Sequence, residues 1–187
     1  MKKLLIALAA VAVAAGVQAA SFNWKTSATG KVYNPGTETL LASATAYLFD
    51  SSAVTQGSLV TAFAAGGLDL STKGAASSQS IASGAIAAKA FEDGTAVGDT
   101  LTAYFATIVT IDSKDYLFIS DTVNGNGVEG KTTTLSFNAK TASQAAAFDA
   151  AGGYSAGGWY TAAVPEPTSG LLMLLGMAGL ALRRRRA

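Results

Sequence analysis

Hydrophobic positions in this chain follow one pattern at each end and another in the middle. After Met1, Lys2 and Lys3, residues 4–16 are almost continuously apolar, and the run closes on Val17, Gln18 and Ala19. From residue 22 onward the apolar residues come in short runs, many alternating with polar ones and divided by Gly, Ser and Asn. At 171–182 the chain turns continuously apolar again, and Arg183, Arg184, Arg185 and Arg186 follow at once.

The middle reads as strands. A first short strand is predicted at 22–25, and 31–33 leads into an Asn34-Pro35-Gly36 turn. In 40–49, Thr45, Tyr47 and Phe49 share one face, with Ala44, Ala46 and Leu48 on the other. Residues 58–63 fit either a strand or a helix, and so do 85–91. The small-residue stretch 66–84 reads as an exposed loop. The β-branched and aromatic run 100–111, the turn 112–115 and the return 116–120 predict a hairpin. Residues 124–127 read as a turn. In 131–138, Leu135 and Phe137 fall on one side of another strand. Helix formers dominate 141–151, and Gly152 with Gly153 would end that helix. Similar tetrapeptides at 64–67 and 150–153 do not amount to a repeat. The expected fold is mainly β, a small β-sandwich or barrel-like domain with one short helix.

The two ends read as addresses. A basic start, a short apolar core and small residues at 17–19 are what a signal peptidase recognises. Cleavage is expected after Ala19, making Ala20 the first mature residue, with cleavage after Ala20 as the alternative. At the other end, Pro165 and Pro167 donate no backbone hydrogen bond and push their predecessors toward extended geometry. Residues 164–167 are therefore expected to present Glu166 on an extended peptide. Residues 168–182 provide roughly 22 Å of helix at about 1.5 Å per residue. This is short of a hydrocarbon core of about 30 Å, a gap that snorkelling arginine stems and local thinning can close. The spacing of Gly176 and Gly179 is not that of a helix-dimer motif. By the positive-inside rule the arginines stay cytoplasmic, which places everything before Val164 across the membrane. The chain thus divides into a signal peptide (1–19), an extracytoplasmic passenger (20–163) and a single transmembrane sorting helix with its motif (164–187).

The Pro165-Glu166-Pro167 signpost, the apolar run and the terminal arginines together resemble the PEP-CTERM sorting domain of exported bacterial proteins. The resemblance implies a membrane-embedded, exosortase-like enzyme that recognises and removes the tail, and a transient C-terminal anchor in the inner membrane. It also implies a destination at the cell surface or in an extracellular matrix, in bacteria that make exopolysaccharide and biofilm.

Composition refines the passenger. Lys2, Lys3 and the arginines take six of the 13 basic residues and Glu166 one of the 12 acids. Seven lysines against 11 acids remain, a net charge of −4 with no basic patch, so no nucleic-acid partner is expected. Cysteine is absent, so the core must come from packing. Histidine is absent too, which removes Ser-His-Asp and Cys-His catalysis and zinc sites of Cys or His type.

Residues 125–130 spell G-x-G-x-x-G, but a dinucleotide site needs a helix straight afterwards, and a strand is predicted there. Asp121 to Glu129 is an oxygen-rich loop without the spacing of an EF-hand. Glu92 with Asp93, and Asp112 with Asp115, lie too near in sequence to face one another across a glycosidase cleft. Trp24, Trp159 and the tyrosines offer a possible sugar-stacking surface, though core positions are the commoner fate of such rings. No catalytic residue, cofactor or metal is assigned. The expected function is a non-enzymatic structural or adhesive protein, with a carbohydrate-binding module for exopolysaccharide as the alternative. The expected partners are signal peptidase, an exosortase-like enzyme, the membrane and, in the alternative, exopolysaccharide.

Overall fold

The β-branched and aromatic residues of the longest apolar run build the strand that organises the domain. In the structure, a computed structural model describing residues 18–139 and 158–161, this strand is β6 (Thr100–Ile111). Before it come β1 (Ser21–Thr26), β2 (Ser43–Asp50), helix α1 (Gln56–Ala64) and a single 3-10 turn (Leu70–Thr72). β3 (Ser77–Ala82), β4 (Ala85–Ile86) and β5 (Lys89–Phe91) complete the first half. After it come β7 (Lys114–Ile119), β8 (Val123–Asn126), β9 (Thr132–Phe137) and β10 (Gly158–Thr161).

The larger sheet runs β10-β7-β6-β2-β3-β4, with β8 also paired to β6; the smaller runs β5-β1-β9. Among the described residues the strand pairs are antiparallel except β1 with β9, which lie parallel from Ser21 opposite Thr132 to Thr26 opposite Phe137. Among the described residues both sheets are open. The barrel-like alternative is therefore corrected: the large sheet ends on β4 and β10, and no ladder among the described residues joins those ends.

The alternation in β2 sorts residues between two cores. Ala46 and Leu48 join Ala103, Phe105 and Phe118 of the large sheet against Phe22, Trp24, Leu135 and Phe137 of the small one. On the opposite face, Phe49 joins Tyr104, Ala106, Leu117 and Ile119 beneath Leu59 and Phe63 of α1 and Leu70 of the 3-10 turn. The middle of the large sheet is thus covered on both faces, which explains why β6 reads as a nearly continuous apolar run.

The β6–β7 hairpin closes through Asp112 and Ser113, at φ 51° and 61°, the two positive values that match a tight turn to the twist of its strands. β7 and β8 then follow each other along one edge of β6, separated at Ser120. Its N–H donates to the Phe105 carbonyl at 2.9 Å, and its hydroxyl accepts from the Phe105 N–H at 2.9 Å. A buried break in the ladder is thereby kept satisfied.

Several expectations change. The helix lies at 56–64, where the pattern fitted either element. Thr55 caps it by accepting the Ser58 N–H, and Leu59 and Phe63 place two apolar groups four residues apart on the buried side. The helix expected at 141–151 lies outside the described residues. The stretch 66–84 is not simply loop, because six residues of it pair with β2 as β3. Only Ile81 of β3 is buried, so pairing overrides its weak propensity. Residues 85–91 split: β4 stays on the large sheet with β3, while β5 crosses to the small sheet beside β1. Residues 123–126 form β8 rather than a turn.

Gly57 is exposed within α1, and a Cβ there meets nothing within 4 Å. Gly57→Ala is expected to stabilise the domain by about 0.5–1 kcal/mol, because alanine loses less backbone entropy in a helix. Urea unfolding midpoints check this.

Candidate functional site

The expected signal-cleavage residues are woven into the sheet. The Gln18 carbonyl accepts the Val97 N–H at 3.0 Å, Ala19 bridges Ala96, and the Ala20 N–H donates to the Thr95 carbonyl at 2.8 Å. Ala20 is buried at 1% exposure, whereas Ala19 is exposed. Farther along, Phe22 stands opposite Phe91. Between the two registers, the 92–95 side carries two residues more than its partner and bows out opposite Ala20 and Ser21. In this bulge Asp93 Oδ1 accepts the Thr95 N–H at 3.0 Å, while Asp93 Oδ2 is buried without a hydrogen-bond partner among the described residues.

The other end of the passenger leaves from β10. Trp159 packs on Phe118 with ring centroids 5.2 Å apart and donates from Nε1 to the Tyr33 carbonyl at 3.0 Å. Thr161 stands opposite Tyr116, which stands opposite Val109. The 18–20 segment instead lies near the start of β6, through Gly98 and Asp99, which bond to Gly127. At about 3.3 Å per residue, β6 separates the two ends by roughly 30 Å. Pro165, Glu166, Pro167, Arg183, Arg184, Arg185 and Arg186 lie outside the described residues.

The glycines of 125–130 have local packing roles. A Cβ on Gly125 would lie 2.6 Å from Leu135 Cδ2, and one on Gly127 would lie 2.7 Å from both Ala20 Cβ and the Ala96 carbonyl oxygen. Gly130 holds φ at 65° in the turn before β9. The next element is a strand, so no helix N-terminus waits for a pyrophosphate. Among the described residues no group of three or more acids is placed to hold a metal ion. Glu92, Asp112 and Asp115 are exposed, and Asp115 accepts the Thr110 hydroxyl at 2.6 Å. Their placement is that of solvated surface acids, Glu92 and Asp112 in loops and Asp115 at the start of β7.

Trp24 and Trp159 are both buried, so neither presents a ring face for sugar stacking. The open surface lies elsewhere, on the part of the large sheet that α1 leaves bare. There Thr45, Tyr47, Leu68, Asp69, Leu70 and Ile108 line a cleft of about 310 Å³. A second, of about 220 Å³, shares Leu68 and Ile108 and extends to Lys114, Asp115 and Thr161. Hydrogen bonds from the Ser71 hydroxyl and amide hold the Asp69 carboxyl below its ordinary value of 3.8, so it stays charged at neutral pH. No spacing in the sequence pointed to this cleft, because it joins β2, β6 and the 66–70 connection. The Asp93-Gly94-Thr95 triplet, by contrast, is a legible side-chain turn.

No curated protein and no solved structure matches the chain. The family described as PEP-CTERM protein-sorting motif matches residues 163–186, the stretch that holds the Pro-Glu-Pro signpost, the apolar run and the arginines. Such a motif marks an exported protein that is anchored transiently in the membrane and processed by an exosortase-like enzyme. Among the described residues no helix is long and apolar enough to cross a membrane, and the apolar run 171–182 lies outside them. With a sorting motif beginning two residues after the end of β10, the chain is a PEP-CTERM domain-containing protein.

Proposed function

We propose that this is a non-enzymatic structural or adhesive component of the bacterial cell surface or extracellular matrix. Signal peptidase removes residues 1–19, the tail 164–187 holds the passenger at the membrane, and the exosortase-like enzyme then releases it. The observation that carries the reading is the match of the sorting motif to 163–186, directly after a β domain with its own packed core. The outward faces support it. Ser78 and Ser80 of β3, with Thr132, Thr134 and Ser136 of β9, are exposed and offer hydroxyls suited to a hydrated, polysaccharide-rich setting.

Mass spectrometry of both termini of the protein recovered from its host tests this directly. Glu166→Ala is expected to abolish tail removal while membrane insertion persists, because the apolar run and arginines are untouched. Equal processing of this variant and the wild type would contradict recognition through Glu166. Neutral replacements of Arg183, Arg184, Arg185 and Arg186 should instead weaken retention or orientation.

The cleft around Tyr47 favours a second reading, a carbohydrate-binding module for exopolysaccharide. It combines a half-buried phenol ring, an exposed threonine and the charged Asp69, a set suited to sugar hydroxyls. Affinity electrophoresis on the host's exopolysaccharide should show saturable retardation that Tyr47→Ala removes. Retardation unaffected by that change would exclude this cleft.

A further inference from the structure

The bulge at 92–95 contains an acceptor with no donor among the described residues. Asp93 Oδ1 is occupied by the Thr95 N–H, but Oδ2 is buried and, among the described residues, unpartnered, a costly state for a carboxylate oxygen. Directly across the ladder, the Ala20 N–H is already used by the Thr95 carbonyl. As a peptide nitrogen, Ala20 has no further proton to give. Gly127 closes the other side, with no room for a Cβ between Ala20 and the Ala96 carbonyl.

Signal peptidase changes this chemistry. Hydrolysis breaks the C–N bond between Ala19 and Ala20 and consumes one water. The water's oxygen leaves on the new Ala19 carboxylate, and the Ala20 nitrogen becomes an ammonium with three N–H donors. We propose that Asp93 is the built-in counter-charge of this mature N-terminus. The Thr95 carbonyl keeps one N–H, the Asp93 carboxylate takes a second, and the orphaned oxygen is satisfied only after processing. The pairing offsets the loss of the bond between the Gln18 carbonyl and the Val97 N–H, which departs with the signal peptide. Asp93 thus marks Ala20, rather than Ser21, as the residue that begins the mature chain. This inference rests on the export reading above and on cleavage after Ala19.

The test begins with the N-terminus of the processed protein, read by mass spectrometry, and continues with a double-substitution cycle on chain 20–187. Asp93→Asn keeps an acceptor for the Thr95 N–H while removing the charge. With a free α-amine it is expected to lower the folding equilibrium constant roughly tenfold, as for a charge-assisted hydrogen bond. With the α-amine acetylated, the same substitution should lower it less than about twofold. Should Asp93→Asn fail to fold, acetylation of the otherwise unchanged chain is expected to give a comparable, roughly tenfold loss. An equal effect of Asp93→Asn in both forms, or an acetylation without effect, overturns the pairing and leaves the export reading standing. A mature chain that begins at a residue other than Ala20 overturns the cleavage position and the pairing together.

Discussion

Trp24→Ala is expected to destabilise the domain by about 3–5 kcal/mol, a large part of the roughly 5–15 kcal/mol that holds a domain folded. Trp24 is fully buried between the two sheets, with its ring 6.1 Å from Phe105 and 6.3 Å, edge-on, from Phe137. Its Nε1 donates to the Ser77 hydroxyl at 3.2 Å, linking β1 to β3. Alanine removes the indole where three strands converge, and a close-packed interior relaxes only partly into such a void. Trp24→Phe keeps most of the volume and loses the single hydrogen bond, so it should cost about 1–2 kcal/mol. Urea denaturation of both variants measures the difference. A loss below about 1 kcal/mol for alanine would contradict a shared core between the sheets.

Gly127→Ala is expected to cost about 2–3 kcal/mol, near the upper end for one added carbon in a packed site. The new methyl would stand 2.7 Å from the Ala96 carbonyl oxygen and 2.7 Å from Ala20 Cβ, and neither is the end of a flexible side chain. One of the two strands must retreat, and the bonds that Gly127 exchanges with Gly98 and Asp99 lie in the way. Gly130→Ala is the control from the same motif. Its Cβ meets nothing within 4 Å, so only the φ of 65° opposes it, at about 1 kcal/mol. Thermal unfolding of the pair separates steric crowding from backbone strain. Equal shifts would show that crowding against Ala20 is absent.

The ease with which each element could be read follows from where its specifying contacts lie. The β6–β7 hairpin was legible because its information is local: β-branched residues on both arms and a tight turn between them. The two-faced alternation of β2 was legible too, since Ala46 and Leu48 face one core and Phe49 the other. β3 was not, because Ser77–Ala82 becomes a strand only by pairing with β2. Residues 124–127 look like a turn in isolation, yet Gly125 is a glycine because Leu135 approaches within 2.6 Å of its missing side chain. The sorting signal is a linear message and was read in full from Pro165, Glu166, Pro167 and the arginines, where the family match also falls. The cleft at Tyr47 and the partnerless oxygen of Asp93 depend on chain segments meeting from a distance, so no linear reading reaches them.

The parallel pairing of β1 with β9 sets an order of events during synthesis. Among the described residues β1 pairs with Lys89–Phe91 on one edge and Thr132–Phe137 on the other, so its second edge stays open until residue 137 has been made. Distant partners make such docking late and slow. A polypeptide that cannot lock its first strand remains pliable enough for a translocation channel. During that delay the Ala19–Ala20 bond, where the proposed cleavage falls, is not yet enclosed by the finished sheet.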